Sequence, residues 1–246
     1  MLIVVTWLVY LPGLDGPPLL DDKSVIRPLM ELDPAGWREW ITDRLLSDRG
    51  HLGRPVPMAS FLLNVIVHGG DTAAWNATNV VLHLCTGILV FLLTRRVLAV
   101  AVTTKSTAAG NGMALLVAGI WLLHPLQVST VLYTVQRMAQ FQAFFVFAGL
   151  LAYVAGRQRQ LAQRSGGGWL IGIAFLVFFP LSLLSKENGI LFPLFTFLTE
   201  LCLFRFGGGL HARRALAALY VVLLLIPAVA GTAWLLENID TFVMPG

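Results

Sequence analysis

Apolar runs of roughly membrane-crossing length alternate along this chain with short polar breaks. They fall at 1–14, 74–98, 113–123, 138–156, 168–184, 188–204 and 214–236. A hydrocarbon core ~30 Å thick takes about 20 apolar helical residues to cross. None of the runs shows the period-two alternation of a barrel strand. The pattern therefore predicts an all-α fold: a polytopic membrane helical bundle of seven transmembrane helices. The third run is short, with an extension to about residue 135 as the alternative. The first, MLIVVTWLVYLPGL, is short too and has no basic flank. It is expected to thin the bilayer locally or to be an incomplete start. A cleaved signal peptide is the rival reading, weakened by the missing charged n-region and cleavage site.

Between the first two runs lies the longest polar stretch, 15–72, expected to be an extracytoplasmic loop carrying interfacial helices. Asp33 followed by Pro34 is a helix-start signal. Trp37, Trp40, Ile41, Arg44 and Leu45 then recur at helical spacing, the pattern of a helix lying flat on the membrane face. After the RPVP break a second short helix is expected, with Ser60, Asn64 and His68 on one side. A polar edge facing water is its plainest reading. The second span opens with Trp75, Asn76, Asn79 and His83, the last three on one helical face. Polar groups at membrane depth turn inward, so interhelical bonding comes first and substrate contact second.

Composition agrees: 57% of the 246 residues are hydrophobic and 12% charged, with a mean hydropathy of +0.77. No water-soluble domain carries that balance. Arg95, Arg96 and Lys105 follow the second span, Arg157, Arg159 and Arg164 the fourth, and Arg205, Arg213 and Arg214 the sixth. Positive charge marks those loops as cytoplasmic, with Asp21, His124, Lys186 and the 237–246 tail on the other face. The net charge of +4 is then a topology signal, and nucleic acid is not an expected partner. Cys85 and Cys202 fall within spans and are expected to be buried free thiols. No metal-ligand spacing or glycine-rich phosphate loop occurs, and no metal or cofactor is expected.

Candidate chemistry begins with Asp21 and Asp22 at the outer edge of the first span. Adjacent residues share a face in neither helix nor strand, so the two carboxylates are expected to differ in role. A solvated pair is the plain alternative. Arg54, Arg137 and Lys186 fall on the same outer side, where cations either bind phosphate oxygens or snorkel to headgroups. His124, next to Pro125, either meets a phosphate or caps a broken helix. Lys186 and Glu187 occupy a tight turn, with Gly189 read as a helix terminator, and are expected to take separate partners. Glu200 is expected to find a partner on a neighbouring helix.

LLDDKSVI (19–26), GRPVPMASFLLN (53–64), WNATNVVLHL (75–84), WLLHPLQVSTVLYTVQRM (121–138) and LLSKENGILFPL (183–194) stand in an order and spacing that carry a family resemblance. Together they resemble the membrane part of the transmembrane O-mannosyltransferases bearing tetratricopeptide repeats and their bacterial relatives, a branch of the GT-C glycosyltransferases. The resemblance implies transfer of a hexose, mannose among the candidates, from a polyprenyl-phosphate carrier to a hydroxyl of a protein or glycan acceptor. The donor would be a lipid-linked substrate rather than a cofactor, and the setting a bacterial inner membrane with a periplasmic active face, or a lumenal one in a eukaryote. It implies Asp21 or Asp22 as catalytic base, with Arg54, His124, Arg137 and Lys186 on the carrier phosphate. Asn64, Asn79, His83, Gln136 and Glu187 would line the substrate pocket.

The chain departs from that pattern in two places. The relatives continue into further spans and a repeat domain, so a fragment is expected. The asparagine often found just beyond the acidic pair is replaced by Arg27 and Pro28. A lipid-sugar flippase or transporter, and a catalytically silent scaffold of a surface-glycan complex, are the competing readings.

Overall fold

A computed structural model describes residues 1–17, 20–26, 54–101 and 107–238. The interfacial helix expected over 33–45 lies outside the described residues, as do Arg27, Pro28, Lys105 and most of the tail. Among the described residues the regular structure is helical throughout, with no strand. In chain order it comprises α1 (Leu2–Gly13), a single turn at Asp22–Ile26, α2 (Pro55–His68), α3 (Thr72–Ala101), α4 (Thr107–Leu123) and α5 (Gln127–Leu132). Then follow α6 (Thr134–Leu161), α7 (Gly167–Leu183), α8 (Glu187–Phe204) and α9 (Leu210–Glu237).

Four of these, α3, α6, α8 and α9, are long and apolar enough to cross a membrane, at 30, 28, 18 and 28 residues. Helices α1, α4 and α7 stand where the first, third and fifth apolar runs do but are shorter. The third run does not continue to 135. Pro125 cannot donate a backbone hydrogen bond, so the chain turns after Leu123 and restarts as α5. The outer surface is strongly apolar: Leu116, Leu176 and Trp234 are 56%, 79% and 57% exposed, as suits contact with lipid. Cys85 and Cys202 sit on that exposed surface. The expectation of buried thiols is corrected: an apolar thiol loses nothing by facing hydrocarbon.

Helix α6 runs through the middle. At one end Val135 and Met138 pack against Phe61 of α2 and Trp75 of α3. At the other, Val146 and Tyr153 join Phe175 of α7, Phe192 of α8 and Tyr220 of α9. A third cluster closes α1, α3 and α4 around Tyr10, Val80 and Leu122. Close approach of α6 to α7 depends on glycine: a Cβ on Gly156 would lie 2.8 Å from the Gly167 carbonyl oxygen. Gly189 has the same task in the α7–α8 turn, against the Ser182 backbone, and lies inside the first turn of α8 rather than ending a helix.

The expected partner of Glu200 is Arg157. Although counted with the loop cations, Arg157 lies within α6, and both side chains are fully buried. Arg157 Nε donates to Glu200 Oε2 (2.8 Å) and Nη2 to Oε1 (2.7 Å), a forked pair. Nη1 donates to Gln160, and Nη2 also reaches the Gly207 carbonyl. The Tyr153 hydroxyl donates to Glu200 Oε2 (2.7 Å) and meets the Tyr220 hydroxyl at 2.8 Å. Every charged atom is thus satisfied, the condition under which a dry ion pair holds together.

Glu200→Ala should leave Arg157 buried and unpaired, lowering unfolding stability in detergent by about 3–5 kcal/mol. Replacing both residues with methionine should recover most of the loss. An equal loss in the single and double variants would refute the pairing.

Candidate functional site

The site is built on the elbow where α5 ends and α6 begins. Tyr133 is extended (φ −94°, ψ 105°), and Thr134–Gln136 form one tight turn before α6 proper. Asn79 of α3 holds that elbow. Its amide nitrogen donates to the carbonyls of Val131 (3.1 Å) and Thr134 (3.3 Å). One turn back, Asn76 accepts from the Thr134 hydroxyl (2.8 Å) and donates to the Leu14 carbonyl (2.9 Å), tying down the end of α1. Helix α3 presents these groups in register because Asp71 caps its start, accepting from the Ala73 amide.

Arg137 lies beneath the elbow with no exposed surface. Nε donates to Asn79 Oδ1 (2.6 Å), Nη2 to the Trp75 carbonyl (2.8 Å), and Nη1 to Asn64 Oδ1 and to the Ser60 carbonyl (3.4 Å). Its guanidinium stands 4.6 Å from the Phe61 ring centre and 5.8 Å from that of Trp75. Among the described residues no carboxylate pairs with it. Neutral oxygens and two aromatic faces carry the charge instead. The Ser60 and Asn64 stripe of α2 therefore faces this interior. Only His68 at its end is exposed, which corrects the water-facing reading.

The acidic pair docks on the same elbow. Asp22 is buried, and its Oδ1 accepts from the Val135 amide at 2.7 Å. Asp21 is exposed, and its backbone amide donates to the Tyr133 hydroxyl at 2.7 Å. Burial raises the Tyr133 phenol above its ordinary value, so it stays neutral beside the carboxylates. The backbone donor on Asp22 fixes the direction of its carboxylate. The two aspartates thus differ in setting: Asp22 is buried on the elbow, and Asp21 is exposed beside it.

Arg54 and Glu187 close the rim. Arg54 donates from Nε (3.0 Å) and Nη2 (2.7 Å) to Glu187 Oε1, joining the start of α2 to the start of α8. Nη1 points at the Met138 sulfur at 3.0 Å, a weak acceptor for a charged donor. Arg54 precedes Pro55 yet has φ 41° and ψ 56°, a left-handed conformation that costs a non-glycine residue on the order of 1 kcal/mol or more. Two fixed contacts on its side chain oppose that strain. Lys186, beside Glu187, is half-buried, and its side chain has no hydrogen-bond or ion-pair partner among the described residues.

The remaining predicted residues stand apart from this arrangement. His83 is buried deeper in α3, with Nε2 3.0 Å from the Leu122 carbonyl at the end of α4 and its ring stacked on Trp121. His124 is exposed and accepts the Leu126 amide on Nδ1, in the turn that leads from α4 into α5. Gln136 is half-buried, and its side chain makes no hydrogen bond among the described residues. Sequence reasoning missed Ser60, Trp75 and Tyr133 as bonding partners. Two of them contribute backbone carbonyls, for which side-chain identity gives no signal.

Asn79→Leu should leave the Arg137 Nε and two carbonyls unpaired in a dry interior, each costing about 1–3 kcal/mol. Gln136→Ala should stay within about 0.5 kcal/mol of the parent. Unfolding in detergent measures both, and equal stability of the two variants would show that the elbow is not held as described. Comparisons with family models, with curated proteins and with solved structures give no match for this chain.

Proposed function

We propose that the protein is a membrane glycosyltransferase of GT-C type, moving a hexose from a polyprenyl-phosphate carrier to a hydroxyl on the extracytoplasmic face. In this reading all seven apolar helices cross the membrane, with the arginine-rich turns in the cytoplasm. The observation that carries it is one elbow bearing an exposed aspartate, Asp21, together with a rim cation, Arg54, whose Nη1 donates to a thioether. An anionic oxygen is a far stronger acceptor than sulfur for that donor. A carrier phosphate would take the Met138 position on Nη1, with Lys186 as a second cation.

The chemistry assigns each group a part. Asp21 takes the proton of the acceptor hydroxyl as its oxygen bonds to the anomeric carbon. The bond from that carbon to the phosphate oxygen breaks, and the electron pair leaves on the phosphate. Arg54 and Lys186 stabilise the charge that develops there. Asp22 and the elbow hold Asp21 in place, and Arg137 acts from beneath as the anchor of the elbow. His124 and His83 have structural parts in this scheme. The buried charges Arg137, Arg157 and Glu200 are held in hydrogen bonds, which supports fixed chemistry over an ion-coupled transport path.

Membranes supplied with radiolabelled polyprenyl-phosphate mannose should lose transfer by about 100-fold or more in Asp21→Asn, the scale of a lost general base. Carrier flipping should be unchanged. Loss of flipping with transfer intact would instead establish the transporter reading, and loss of neither would leave the scaffold. In a cysteine-free background, Ser24→Cys should react with an impermeant thiol reagent in intact cells. Labelling only after lysis would reverse the orientation and remove the proposed active face.

A further inference from the structure

Helix α9 leaves the bundle after its first three turns. Leu216 and Tyr220 are buried, but from Val221 to Glu237 no residue is. Between α9 and α8 this opens an apolar groove of about 820 Å³, whose lining includes Leu194, Phe197, Phe206, Ala217 and Leu224. Its one hydroxyl, on Tyr220, is turned away to Tyr153. Along α9 the groove runs from Ala217 to Ala228, about 16 Å at 1.5 Å per residue. On α8 the lining reaches Ile190, in the first turn of that helix, so the groove extends past the half-thickness of a hydrocarbon core ~30 Å thick.

The charge at one end of the groove is of a single sign. Arg213 and Arg214 stand one helical turn before groove-lining Ala217, and Arg205 directly precedes groove-lining Phe206. All three are exposed, and none has a side-chain partner among the described residues. The carboxylate at this end, Glu200, is buried against Arg157. Arg205 and Phe206 both take left-handed backbone (φ 50° and 53°), and the turn is held by Arg157 on the Gly207 carbonyl. An apolar channel opening at three guanidinium groups that have no side-chain partner among the described residues has the chemistry of a phospholipid site.

We propose that this groove holds one acyl chain of an anionic phospholipid from the leaflet at the arginine-rich end, with its headgroup phosphate on Arg205, Arg213 and Arg214. The bound lipid stands where α9 lacks protein neighbours and holds it at a fixed distance from α8. The arginines stand at the end of the bundle opposite the acidic elbow, whereas the far end of the groove, at Ile190, lies one turn from Glu187 of the proposed site.

The full chain, purified in mild detergent and equilibrated with equal amounts of phosphatidylglycerol and phosphatidylcholine, is analysed by native mass spectrometry. One phosphatidylglycerol should be retained in preference to phosphatidylcholine. The combined Arg205→Gln, Arg213→Gln and Arg214→Gln variant should lose that preference, by about fivefold for each arginine engaged. Leu224→Trp, which fills the groove, should reduce retention of both lipids. The three arginines are exposed, so circular dichroism should report unchanged helicity. Equal retention of both lipids, or a preference that survives the triple variant, overturns the proposal. So does displacement of the lipid by polyprenyl phosphate irrespective of the arginines. Disulfide cross-linking between copies through Leu194→Cys would assign the groove to a second copy and overturn it as well.

Discussion

A cation buried with no carboxylate partner among the described residues organises the acidic end of this molecule. The Arg137 guanidinium is fully enclosed, and its donors end on oxygens from two other helices, α2 and α3. Such a charge is tolerated in an interior only while its hydrogen bonds are complete. The three helices are therefore not free to slide independently. Because Asn79 bonds both Arg137 and the carbonyls of the elbow, the constraint passes to the turn at Thr134–Gln136. From that turn it passes, through the Val135 amide, to Asp22. The position of the buried Asp22 carboxylate thus follows from a cation that lies beneath the elbow.

The other end of the bundle solves the same problem differently. Arg157 and Glu200 neutralise one another in a dry site, and two tyrosines, a glutamine and a backbone carbonyl complete the shell. The opposite charge makes this a closed unit, whereas Arg137 depends on dipoles contributed from several elements. Between them α6 is tied at both ends, to α2 and α3 at one and to α8 at the other. Helix α9 joins this framework through Leu216 and Tyr220, and its far half, from Val221 on, stands apart and leaves a groove.

Much of the architecture was legible in order of apolar runs, because membrane crossing imposes a length and a composition that no other environment does. Helices occur at all seven expected places, four of them of spanning length. The polar stripe of α3 was legible as well, since side chains three and four apart must share a face. The stripe of α2 was misread. Spacing places Ser60, Asn64 and His68 on one side of a helix, but only the neighbour that arrives, here Arg137, makes that side an interior. The thiols were misread for the same reason: position within a span does not say which side meets lipid.

From the sequence alone came the apolar helices of a membrane protein, the helical class, the breaks at proline and the unlike settings of two adjacent aspartates, all consequences of local geometry and solvent. Pairings across the chain were decided by the tertiary structure. Arg54 meets Glu187 over 133 positions, and Asp22 meets Val135 over 113. Such contacts depend on helix packing and on backbone groups, and a backbone amide is the same at every residue but proline. No pattern of side chains can therefore announce which amide or carbonyl a buried charge will find.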